Sequence, residues 1–174
     1  MRKHLVVATL RQILAINPRT QEPLVLKPES EERVLDCYAS NGGIFYAVPT
    51  QTSVKIYDAL ADHSINSVAL PRDRPDILEA LARNLSFRFV TEGNSLGYDL
   101  HAKAEVGPTV EEFNKRDTLF TKLNGNTGHP PLFVLQEGGT LVKTFEVDSD
   151  ALEREFRVKR DKETYKKYKH FLNN

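Results

Sequence analysis

The sequence predicts an α+β fold: a mixed β-sheet built from an N-terminal hairpin, three central strands and a C-terminal hairpin, packed with about four to five helices. Three observations carry that prediction. Apolar segments 5–16 and 23–26 flank the turn-rich Asn17-Pro18-Arg19-Thr20-Gln21-Glu22. Leu132–Leu135 and Thr140–Val147 flank the Gln136-Glu137-Gly138-Gly139 turn, the clearest hairpin signal in the chain. Between them, residues 44–90 read strand, helix, strand, helix, strand. Hairpins at both ends argue against a wholly parallel sheet.

In order, Pro18 fits the second position of a turn and disfavours helix at Asn17, closing the first hairpin. Residues 28–39 read as a short helix, with acids early (Glu29, Glu31, Glu32), apolar residues behind them and Asn41-Gly42-Gly43 as the stop. Ile44–Val48 is a strand. Thr50 or Thr52 caps a helix through Ile56, Tyr57, Leu60 and Ala61, and Val68–Leu70 is a second strand. Pro75 suits the first position of a helix running to Asn84, and Phe87–Val90 is a third strand. Leu96–Val106 reads as a strand and 109–123 as a helix. Asp148 or Ser149 caps a last helix with Leu152 and Phe156 inward, interrupted near Val158–Asp161 and resuming to Leu172. Residues 1–150 form one domain, and 151–174 a basic C-terminal helix packed on it.

The 174 residues carry 24 Lys+Arg against 24 Asp+Glu, with 40% hydrophobic residues. A chain of this size buries about 70% of its unfolded surface, enough core to stand without staples. Zero net charge excludes a uniformly basic nucleic-acid coat while permitting a local patch. The single cysteine, Cys37, excludes an internal disulfide framework and a thiolate metal cluster within one chain. With Asp36 beside it, Cys37 reads as a small buried apolar residue rather than a nucleophile. The apolar run after Arg2-Lys3 stops at Thr9, short of a secretory segment, and nothing approaches the ~20 apolar residues of a membrane span. A cytoplasmic protein without cofactor is the expectation. The five histidines are scattered, without a paired metal-ligand spacing, so no metal site is expected, and no catalytic set emerges.

The strongest asymmetry lies at the C-terminal end. Residues 151–174 hold eight Lys/Arg against four acids. Arg157, Lys159, Arg160, Lys162, Lys166, Lys167 and Lys169 interleave there with Tyr165 and Tyr168. Such a helix can lay cations on phosphates, with tyrosines for base stacking, or dock into an acidic groove of another protein. An amphipathic helix completing the core, its cations meeting the dipole, explains the same residues without a partner.

Two loops offer an alternative, anion-binding reading. Arg72-Asp73-Arg74 sits between a strand and a helix, where α/β folds commonly bind ligands. The loop from Asn124 to Pro131 holds Gly125, Gly128 and His129, so exposed N–H groups and an acid or base are available, and the alternative expectation is a small enzyme or binding module for a phosphorylated or nucleotide-like ligand.

The run His129-Pro130-Pro131-Leu132-Phe133-Val134-Leu135, then Gly138-Gly139, Leu141-Val142-Lys143 and a closing helix, resembles the C-terminal half of thioredoxin-like folds. Thr50 and Ser53 stand where the Cys-x-x-Cys pair of that family would be. The resemblance therefore implies an interaction subunit of a larger assembly rather than redox chemistry. Gly97-Tyr98-Asp99-Leu100 with Ala102 is similar to the first motif of trimeric dUTP pyrophosphatases, but residues 101–174 hold no Arg-Ser-Gly phosphate segment. The leading expectation is a non-enzymatic accessory protein whose basic C-terminal helix engages nucleic acid or an acidic protein surface.

Overall fold

Strands dominate where the sequence reading expects alternation of strand and helix. The computed structural model describes residues 2–40, 43–82, 88–92, 95–100, 129, 131–137, 140–160 and 166–169. In chain order the elements are β1 (Lys3–Thr9), β2 (Ile13–Ile16), β3 (Pro23–Lys27), β4 (Asp36–Ser40), β5 (Gly43–Pro49), β6 (Ser53–Asp58) and β7 (His63–Ala69). They continue with α1 (Pro75–Ala82), β8 (Arg88–Glu92), β9 (Ser95–Asp99), β10 (Phe133–Glu137), β11 (Thr140–Asp148) and α2 (Ser149–Lys159). Every strand pair among the described residues is antiparallel. The α+β expectation of one mixed sheet under four to five helices is thus corrected to a stack of antiparallel sheets.

The first sheet has the order β10-β11-β1-β2-β3, so β1 lies between β2 and β11 and joins the two ends of the chain. The C-terminal hairpin is present as β10-β11, and the turn at 17–22 joins β2 to β3, but the expected first segment 5–16 is broken at 10–12 into two strands, β1 and β2, that pair with each other. The middle sheet is the meander β4-β5-β6-β7, and β8-β9 form a separate hairpin. Alternate side chains decide the layering. Val6, Ala8, Ile13, Ala15 and Leu24 of the first sheet cluster with Cys37, Ala39, Ile44, Tyr46 and Val48 of the middle sheet, closed by Leu152 and Phe156 of α2. The opposite face of the middle sheet meets α1 and the β8–β9 hairpin through Tyr38, Ala47, Val54, Ile56, Ile77, Leu81, Phe89 and Tyr98. Phe89 sits edge-on to Tyr98 with ring centroids 5.0 Å apart.

This layering explains the two misread segments. Residues 36–39 are buried on both faces of β4. Their apolar run therefore lacks a period of two and resembles a helix of similar composition. At 50–64, Ile56, Tyr57, Leu60 and Ala61 fit a helical stripe, yet Val54 and Ile56 also alternate around exposed Lys55, and the β-branched pair takes the strand. Thr50 closes a hairpin turn there: its amide donates to Ser53 O at 2.7 Å. The thioredoxin-like placement fails at this point, because the turn joins strand to strand and Cys37 lies in β4. The expected helix over 109–123 and the strand beyond 100 lie outside the described residues. Among the described residues no helix is long and apolar enough to cross a membrane.

Candidate partner-binding surface

Helix α2 begins where β11 ends because Asp148, in extended backbone, accepts a hydrogen bond from the Asp150 amide at 3.0 Å. The Ser149 amide donates to Arg2 O at 3.0 Å, and Ser149 Oγ meets buried His4 Nδ1 at 2.6 Å. Asp150 in the first turn and Arg157 and Lys159 in the last suit the helix dipole. The helix ends when the Arg160 amide donates to Phe156 O at 2.9 Å. Ser149, Ala151, Leu152 and Phe156 form its buried side.

The predicted cations divide into two groups. Lys159 is consumed internally: its Nζ lies 2.8 Å from Asp58 Oδ2 and 5.5 Å from the centre of the Phe45 ring. Buried Asp58 in turn accepts from the Leu60 and Ala61 amides. Arg160 donates to Ala59 O at 2.8 Å and to Leu60 O, while its guanidinium covers the Phe156 ring. These two residues fasten α2 to the β6–β7 turn and are not available as a partner-facing charge. Arg154, Arg157 and Val158 point outward, and Val158 is 72% exposed. Beyond the helix, residues 166–169 are helical, with Lys166, Lys167 and Lys169 exposed. Tyr168 meets Phe156 edge-on (centroids 6.4 Å, 84°) and Lys167 lies over its ring, so it completes the core rather than presenting a stacking face. Lys162 and Tyr165 lie outside the described residues.

The alternative anion site does not assemble. Arg72 is exposed. Arg74 caps α1 through its carbonyl and turns its guanidinium onto Asp76, with Nε–Oδ1 3.1 Å and Nη2–Oδ2 2.9 Å. That hydrogen bonding holds the Asp76 carboxyl below its usual range and Arg74 above its own. Far along the chain, the His129 amide donates to Ala39 O at 2.7 Å, extending the free edge of β4. Burial first, and the Lys3 charge second, push His129 below its ordinary 6.5. Its enclosed Nε2 has no hydrogen-bond partner among the described residues. Both effects favour the neutral imidazole. No described contact joins it to Arg72 or Arg74, and Gly125 and Gly128 lie outside the described residues.

Two features escaped the sequence reading. Lys143 is fully buried and pairs with buried Asp36, tying β11 to β4 across the first two layers. The signal was its parity: Lys143, Phe145 and Val147 share the inward side of β11. Burial, outweighing the Lys143 charge, pushes the Cys37 thiol up to about 12, consistent with an inert core residue. The second feature is the half-exposed apolar outer side of the first sheet. Tyr98 of the Gly97-Tyr98-Asp99-Leu100 run packs in the core, which accounts for that motif structurally.

Among the described residues, no group of three His, Cys, Asp or Glu is placed to hold a metal. No family model, curated protein or solved structure matches this chain.

Proposed function

We propose that the protein is a binding module that engages an acidic protein surface through the outward side of α2 and the exposed lysines beyond it. The observation that carries this reading is Val158, 72% exposed on the outward side that also presents Arg154 and Arg157. Val158 has Arg154 and Arg157 beside it, with Glu155 Oε1 4.0 Å from Arg154 Nε; an exposed valine next to guanidinium groups suits an amphipathic groove with an acidic rim, where the valine is buried and carboxylates of the partner meet the guanidinium groups. Phosphate recognition needs the cations alone. Tyr168, directed onto Phe156, gives little support to base stacking. Lys159 and Arg160 supply the rigid seat that presents this side. A cytoplasmic setting is part of this proposal; with one cysteine the chain has no internal disulfide to gain from an oxidising compartment.

Fluorescence anisotropy with a labelled amphipathic peptide rich in Asp, Glu and Leu tests the reading. Wild type binds it. Val158→Asp weakens binding about tenfold, since a buried valine contributes about 1.5–3 kcal/mol. The Arg154→Glu/Arg157→Glu chain loses binding and its salt dependence together. Equal affinity for all three chains would remove α2 from the interface.

A further inference from the structure

A charged side chain sealed in a protein core loses its hydration, and the interior returns that cost only through a partner in close contact. The inward row of β11, made of Lys143, Phe145 and Val147, contains one such side chain. Lys143 has no exposed surface and Asp36 of β4 only 4%, and the two form an ion pair through Nζ and Oδ1. The Cys37 amide donates to that same Oδ1 at 2.8 Å. The surroundings solvate charge poorly: burial raises the neighbouring Cys37 thiol to about 12 against the opposing pull of the Lys143 ammonium. A primary amine and a carboxyl carbon are therefore held together where bulk water does not reach.

We propose that Lys143 and Asp36 are a covalent modification site, at which the folded chain condenses the two side chains into an isopeptide bond. In water this condensation is opposed by the strong hydration of ammonium and carboxylate, and in the core neither ion keeps that hydration. A poorly solvating site also favours the uncharged amine and acid, the forms that react. The ammonium passes one proton to the carboxylate, the Nζ lone pair attacks Cγ, and a second proton follows to the departing oxygen. The Nζ–Cγ bond forms, one Cγ–O bond breaks and one water leaves, so a positive and a negative charge give a neutral amide without an oxidant or co-reactant. The Cys37 amide, already on Oδ1, holds that oxygen as negative charge develops on it. The product joins residues 107 apart in sequence and ties β11 of the first sheet to β4 of the middle sheet. Freshly folded chain contains the ion pair, with the energetics of a buried salt bridge. Neither residue belongs to the α2 surface, and the two proposals stand or fall separately.

Intact-mass spectrometry of the full chain, freshly purified and after prolonged incubation at neutral pH, decides the matter. The expected result is a species lighter by one water than the sequence requires, increasing with time. Trypsin does not cut after an acylated lysine, so the digest of that species should join residues 34–55 to residues 123–154. Lys143→Arg keeps the charge but presents a guanidinium that is not nucleophilic, and should retain its full mass. Wild type incubated in urea is a control that needs no variant to fold, and it should lose no water. A wild-type chain that keeps its full mass after incubation overturns the proposal. So does a water loss without the joined peptides, as in an aspartyl succinimide, or one that occurs equally in Lys143→Arg or in urea.

Discussion

Lys143 shows most plainly how a single residue governs this fold. Its ammonium has left water entirely and is compensated by Asp36, which also accepts the Cys37 amide at 2.8 Å. Removing one member strands the other in the core. Lys143→Ala is expected to cost about 3–5 kcal/mol in urea denaturation, whereas Lys143→Met combined with Asp36→Leu should lie close to wild type. His129 gives a second test at this scale. Because the folded chain binds a proton there less readily than the unfolded chain, protonation opposes folding. The contribution is complete above the unfolded value of about 6.5 and is lost as pH falls through it towards the lower folded value. Melting temperature should therefore decline on acidification through this window, and His129→Gln should flatten that part of the curve.

At the scale of the element, α2 is the part of the chain most legible in sequence, and the middle sheet the least. The cap at Asp148 and the inward pair Leu152 and Phe156, spaced by one helical turn, identify α2 without tertiary information. Pro75 likewise marks the start of α1. By contrast β4 owes its structure to being covered on both sides, a property of the layers that a linear pattern does not carry. The basic tail was legible as charge but not as function. Which cations are spent on Asp58 and on the Ala59 and Leu60 carbonyls depends on where the β6–β7 turn meets the helix end. The division predicts opposite responses to substitution. Phe156→Ala should destabilise by about 3–5 kcal/mol, and Val158→Ala by no more than about 0.5 kcal/mol, in chemical denaturation.

At the scale of the molecule, the described residues form three layers clasped by α2, and the outward side of α2 is a surface that the core does not explain. The cationic, valine-bearing side of α2 is presented by a seat of buried contacts, so its geometry is fixed before any partner arrives, which lowers the ordering cost of binding. Chain ends joined through β1 and β11 place that helix directly on the main core. In the proposed interface, specificity rests on what meets Val158. The most direct measurement is a paired titration of the wild-type and Val158→Asp chains with the acidic amphipathic peptide and with single-stranded nucleic acid, each at low and high salt. Tighter binding to the peptide, with a clear loss of that binding in Val158→Asp, is the expected result. Preferential, steeply salt-dependent binding to nucleic acid that is indifferent to residue 158 would contradict it.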